Sequence, residues 1–173
     1  FVLKQSFDYK NVPFYILLGI LAGFISLYYA RTYKRTEQRL HGWALNGYLK
    51  AAIGGLLLLL IYFVFPPLFG EGYNSVKAVA NGTLNSFTDN TTLFSMFTDN
   101  WGIIAFTGLI VLFKPVAAGI TIGAGGNGGN FAPSLFTGAY LGFFFSKLLN
   151  TTPWIKIPEG NFSLVGMAGV LSG

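Results

Sequence analysis

Long apolar runs separated by short polar segments dominate this chain. About 20 consecutive apolar residues are enough for a helix to cross the hydrocarbon core of a membrane. The pattern therefore predicts membrane helices over 12–30, 51–70, 101–122 and 131–149, and the beginning of another over 162–173. It also predicts a short helix over 73–80, and surface loops over 1–11, 81–100 and 150–161.

The composition favours a membrane protein over a soluble domain. Of the 173 residues, 53% are hydrophobic and 10% are charged, whereas soluble domains average about 25% charged residues. We therefore expect an all-α, polytopic protein of the cell (inner) membrane, in contact with the lipid bilayer, with residues 1–173 forming part of one transmembrane domain. Because the chain starts at Phe1 and ends at Gly173 within an apolar helical pattern, we expect a fragment of a longer protein.

The net charge of +5 bears on topology rather than on nucleic-acid binding. Basic residues lie mainly between apolar runs, and no clustered basic face of the kind that binds nucleic acid is evident. Four of them follow the first apolar run, namely Arg31, Lys34, Arg35 and Arg39. Because positive loops stay inside the cell, segment 31–43 is expected to face the cytoplasm and 71–100 the outside.

The residues needed for catalysis or metal binding are absent from the expected membrane spans. The chain has no cysteine, and its single histidine, His41, lies in the basic segment beside Trp43. The six acidic residues all fall in expected loops, namely Asp8, Glu37, Glu71, Asp89, Asp99 and Glu159. We therefore expect no enzyme activity, no catalytic residue, no metal site and no cofactor.

Residues 123–129 contain five glycines and are followed by Asn130, Phe131, Ala132 and Pro133 and a further apolar run. Glycine frees the backbone, and proline is tolerated in the first turn of a helix. The pattern predicts a broken helix at the membrane centre, with a new helix starting near Asn130 or Phe131. Free N–H groups and the positive dipole end make such a start an anion site. We expect the main-chain N–H groups of Asn130 and Phe131 to hold the anion.

Two other interpretations of the glycine segment remain open on the residues alone. Residues 123–128 fit the dinucleotide pattern G-x-G-x-x-G, but the preceding segment is too long for a strand and the next acidic residue is Glu159. Alternatively, the segment is a flexible connector between two membrane helices.

Gly129 to Pro133 matches the G-x-F-x-P motif of the CLC family of chloride channels and transporters. The flanking sequences KPVAAGITIGAGGNGG and SLFTGAYLG also resemble that family, and GEGY at residues 70–73 is a weaker similarity. The resemblance extends over nearly the whole chain.

This resemblance implies a homodimer in which chloride crosses each subunit. The motif residues Gly129, Asn130, Phe131, Ala132 and Pro133 would supply part of the chloride site, chiefly through the N–H groups at Asn130 and Phe131. The family's serine and gating glutamate motifs would precede Phe1, and its later tyrosine would follow Gly173. The choice between channel and proton-coupled antiporter therefore stays open. The alternatives are another secondary transporter for an anionic substrate, or a membrane scaffold without transport.

Three further features of the apolar runs predict contacts. Lys114 interrupts the third run and is expected either to reach the membrane surface or to add positive charge to an anion path. Pro115 is expected to kink that helix. The spacing of Gly19 with Gly23, and of Gly138 with Gly142, predicts close helix packing at both pairs.

Overall fold

The computed structural model describes residues 9–70, 72–81 and 99–173, and within these ranges all regular structure is helical. The α-helices in these ranges are α1 (Val12–His41), α2 (Gly47–Val64), α3 (Tyr73–Asn81), α4 (Asn100–Gly123), α5 (Phe131–Asn150) and α6 (Glu159–Ser172). Single 3-10 turns cover Tyr9–Asn11 and Pro66–Leu68. Three segments, Tyr9–His41, α2 and α4, are long and apolar enough to cross a membrane. The all-α membrane architecture is confirmed, while most of the two loops expected over 1–11 and 81–100 lies outside the described residues.

The first helix is longer than the hydrophobic pattern indicated. α1 has 30 residues and continues through the basic segment to His41. Arg, Lys, Gln and Glu are all good helix formers, and no glycine or proline lies between Gly23 and Gly42. At about 1.5 Å per residue, α1 is roughly 45 Å long, which exceeds the roughly 30 Å of a hydrocarbon core. The basic residues therefore belong to the end of a helix, not to a loop.

The second helix ends earlier than expected. α2 stops at Val64 rather than near residue 70, and Phe65 has a non-helical backbone, with φ −126° and ψ 74°. The reason is Pro66, because proline disfavours helical geometry in the residue before it. After the turn at Pro66–Leu68, α3 begins at Tyr73, which confirms the short helix expected over 73–80.

α5 and α6 form a tightly packed hairpin through small residues. A Cβ on Gly138 would lie 2.6 Å from the Cα of Met167, and one on Gly142 would lie 2.7 Å from the Cα of Ser163. The expected helix contact at Gly138 and Gly142 is confirmed. Aromatic side chains fill the surrounding core, including the fully buried Phe136, Tyr140, Phe143 and Phe162.

The other glycine pair behaves differently. Gly19 and Gly23 are exposed, and a Cβ on either would meet nothing within 4 Å. α1 instead packs through Leu18, Ala22 and Ser26, which recur every four residues on another side of the helix. Within the described residues, the close packing expected at Gly19 and Gly23 is therefore not found.

Candidate functional site

The connection between α4 and α5 doubles back along α1. α4 ends against the C-terminal part of α1, where a Cβ on Gly123 would lie 2.9 Å from the carbonyl oxygen of Glu37. Asn130, at the other end of the connection, is hydrogen-bonded to Tyr29. Residues 29 and 37 of one helix are about 12 Å apart along its axis. α5 therefore begins alongside α4 and not beyond its end, and the non-helical residues 124–130 are the expected break between the two helices.

Two glycines explain how α4 stops. Gly125 has a positive φ of 100°. Its N–H donates to the carbonyl of Ile122 at 3.0 Å, and the N–H of Gly126 donates to the carbonyl of Thr121 at 2.9 Å. This pair of bonds is a Schellman motif, which satisfies the last carbonyl groups of a helix and needs glycine at the positive φ. A Cβ on Gly126 would also lie 2.6 Å from the Thr121 oxygen.

The start of α5 carries main-chain donors without partners. Ser134 is the first residue of the helix whose N–H reaches a backbone acceptor, the carbonyl of Asn130 at 3.1 Å. Pro133 has no N–H. Within the described residues, no acceptor pairs with the N–H groups of Asn130, Phe131 or Ala132. These donors stand at the positive end of the dipole of a 20-residue helix.

A cavity of about 460 Å³ lies beside this helix start. Four of the five predicted site residues line it, namely Gly129, Phe131, Ala132 and Pro133. Asn130 does not, because its side chain turns towards α1. The structure therefore brings most of the predicted residues to one cavity, whereas anion binding there stays a prediction.

The other walls of the cavity supply hydroxyl groups and one cation. Tyr33 comes from α1, Tyr62 from α2, and Thr121 and Lys114 from α4. Among the described residues that line the cavity, none carries a carboxylate. Hydroxyl and ammonium groups donate hydrogen bonds, so this lining suits an anion better than a cation.

Lys114 is held inside the protein and does not reach the surface. Its side chain is 3% exposed. The Nζ atom donates to the carbonyl oxygens of Leu68 at 3.0 Å and Gly70 at 3.1 Å. It also lies 4.2 Å from the ring centroid of Phe136. The first expectation for Lys114, that it reaches the membrane surface, is therefore wrong. Its place in the cavity wall agrees with the second expectation, a contribution of positive charge.

One contact at the site was not apparent from the sequence. The Tyr29 hydroxyl donates to Oδ1 of Asn130 at 2.5 Å, across 101 residues of chain. Tyr29 lies close to Tyr28 and Tyr33 in the sequence, and tyrosines near the end of an apolar run are typical of the membrane interface. Nothing in that pattern pairs it with the start of α5.

Comparison with known proteins supports the family resemblance indicated by the G-x-F-x-P motif at residues 129–133. The model of the family described as "Voltage gated chloride channel" matches residues 1–173. The chain is 24% identical to the uncharacterized protein MJ0305 of Methanocaldococcus jannaschii over 157 residues, which are 90% of this chain and 35% of that protein. It thus spans about a third of that relative's length. No solved structure matches it significantly. With its whole length matched, the chain belongs to the voltage-gated chloride channel family.

Proposed function

We propose that this chain is part of a subunit that transports chloride across the cell (inner) membrane. In this proposal, the start of α5 and the cavity beside it hold the anion in transit. The observation that carries it is the set of unpaired N–H groups at Asn130, Phe131 and Ala132, at the edge of a cavity whose described lining contains donor groups and no carboxylate. The full-length protein is proposed to be a homodimer with one such pathway in each subunit.

The proposed site attracts an anion without trapping it. The first turn of α5 presents neutral N–H groups and about half a positive charge from the helix dipole. The full charge of Lys114 is buried in the wall, where Leu68 and Gly70 engage its ammonium group. Conduction requires binding that is strong enough for entry and weak enough for exit. Neutral main-chain donors, with the Lys114 charge buried in the cavity wall, allow the anion both to enter and to leave.

Halide binding and flux by the full-length protein test the proposal. We expect purified protein to bind bromide in calorimetry, and liposomes containing it to release chloride. Replacing the Phe131 residue by its α-hydroxy acid turns one amide into an ester, which removes the N–H at that position and keeps the side chain. This change should weaken bromide binding, whereas Phe131→Leu, which keeps the N–H, should have a smaller effect.

Each alternative predicts a different result. Transport of another anion without halide flux would indicate a different secondary transporter, and no transport at all would indicate a scaffold. Proton movement driven by a chloride gradient would identify an antiporter, and chloride flux without it a channel. Bromide binding that is insensitive to the ester at position 131 would place the anion elsewhere.

A further inference from the structure

The asparagine before α5 does not cap its helix. Asparagine is among the strongest N-cap residues, because its side-chain oxygen accepts an N–H from the second or third helical residue. Asn130 stands at this position but makes no side-chain bond to α5. Its backbone is helical, with φ −89° and ψ −10°, whereas capping residues typically have an extended backbone. Because Pro133 has no N–H, the N–H of Ala132 is the one that a cap would take.

Tyr29 occupies the atom that would form the cap. Its hydroxyl donates to Oδ1 of Asn130 at 2.5 Å. The Tyr29 side chain is 3% exposed, and its ring stacks on Tyr33, with ring centroids 6.4 Å apart and planes at 5°. A buried hydroxyl retains its hydrogen-bond partner, because water is not there to replace it. Tyr29 is therefore a fixed donor that draws the Asn130 amide oxygen towards α1 and away from α5.

We infer that Tyr29 is a positioning residue of the anion site: it prevents Asn130 from capping α5. The inference rests on the proposed function of this site. A capping oxygen would take up the Ala132 N–H and place a partial negative charge beside the anion. With the oxygen engaged by Tyr29, the N–H groups of Phe131 and Ala132 stay free for the anion.

Tyr29→Phe in the full-length protein tests this role. The variant frees Oδ1 of Asn130 to cap α5, and the anion then competes with the cap. We expect bromide binding about fivefold weaker in calorimetry, a factor that corresponds to the usual strength of an N-cap. Tyr28→Phe is the matched control, because it removes a hydroxyl from the same helix, bonded to the Leu112 carbonyl at 3.1 Å and not to Asn130. This control should bind bromide like the wild type.

The double variant separates positioning from packing. Asn130→Ala cannot form the cap, so Tyr29→Phe should have no effect on bromide binding in the Asn130→Ala background. If Tyr29 acted only by packing α1 against α5, the loss would be the same in both backgrounds, and the inference would be overturned.

Two further results distinguish this inference from the proposed function. A structure of the Tyr29→Phe variant should show Oδ1 of Asn130 within hydrogen-bonding distance of the Ala132 nitrogen. If Asn130 stays in its present position, the inference is wrong whatever the anion affinity. Wild-type protein that binds no bromide would refute the proposed function itself, and this role of Tyr29 with it.

Discussion

The carbonyl group of Phe162 occupies the space that a side chain on Gly142 would need. The relationship is reciprocal along the hairpin, because a Cβ on Gly166 would meet the carbonyl oxygen of Gly138 and lie 2.9 Å from the nitrogen of Gly142. The α5–α6 contact is therefore made by backbone against backbone, and each of these glycines supports the helix that carries the proposed anion site.

Gly142→Ala should destabilise the full-length protein. Backbone atoms of Phe162 and Ser163 surround the added methyl group and cannot rotate away, and overpacking of this kind costs about 1–3 kcal/mol. Thermal unfolding in detergent measures the loss, and Gly142→Leu should reduce the folded yield further. Gly55→Ala on α2 is the control, because nothing lies within 4 Å of its Cβ position. Equal stability of the Gly142→Ala and Gly55→Ala variants would contradict the packing described here.

Lys114→Met should destabilise the protein and weaken bromide binding. The substitution leaves the buried carbonyl of Leu68 without its donor, at a cost of about 1–3 kcal/mol, and removes the cation from the cavity wall. Lys114→Arg keeps the charge and should bind bromide more tightly than Lys114→Met. Thermal unfolding and calorimetry measure the two effects.

The control for this prediction is Lys147→Met. Lys147 pairs with Glu159 at 2.9 Å, with both side chains about a quarter exposed. Partly exposed ion pairs contribute roughly 0–1 kcal/mol, so this variant should stay close to the wild type in stability and in bromide binding. A Lys114→Met variant as stable as Lys147→Met would show that the Leu68 carbonyl does not depend on the lysine.

The basic end of α1 should face the cytoplasm and α3 the outside. Cysteines placed at Lys34 and Lys77, both exposed, test this in a full-length protein without other cysteines. In intact cells, a membrane-impermeant maleimide should label Lys77→Cys, and it should label Lys34→Cys only after permeabilisation. The opposite pattern would reverse the topology.

Asn130→Asp should weaken bromide binding by roughly tenfold or more. A carboxylate a few ångströms from the anion repels it by a few kcal/mol at an effective dielectric constant near 20. Asn130→Ala, which adds no charge, is the comparison in the same calorimetric titration. If the two variants bind bromide equally, the anion is not next to Asn130.

The apolar pattern was sufficient to locate the membrane helices, because hydrophobic runs and proline positions act locally. It placed α4 and α5 within one residue of their observed bounds, but it placed the end of α2 about six residues too late. It missed the length of α1, because an apolar run says nothing about a charged helix that projects beyond a bilayer. It also missed that Gly19 and Gly23 face away from the neighbouring helices, because spacing alone does not specify which side of a helix is covered.

Only the features of the site that depend on neighbouring residues could be predicted from the sequence. The break, the helix start and the missing N–H of Pro133 all follow from neighbouring residues. The partners of Lys114 lie 44 and 46 residues away, and Tyr29 lies 101 residues from Asn130. Such contacts depend on how the helices assemble, and no periodicity in the sequence encodes them.

The contact between Tyr29 and Asn130 has a consequence for biosynthesis. At about 5–20 residues per second, the ribosome needs roughly 5–20 s to make the 101 residues between them. During that interval the Tyr29 hydroxyl has no Asn130 to bind. α5 and α6, by contrast, are joined by only a few residues and can pair as soon as both have emerged. The hairpin is thus expected to form as a unit and to pack against α1, which has been synthesised earlier. The anion site is then completed by this packing step and not by the formation of the helices.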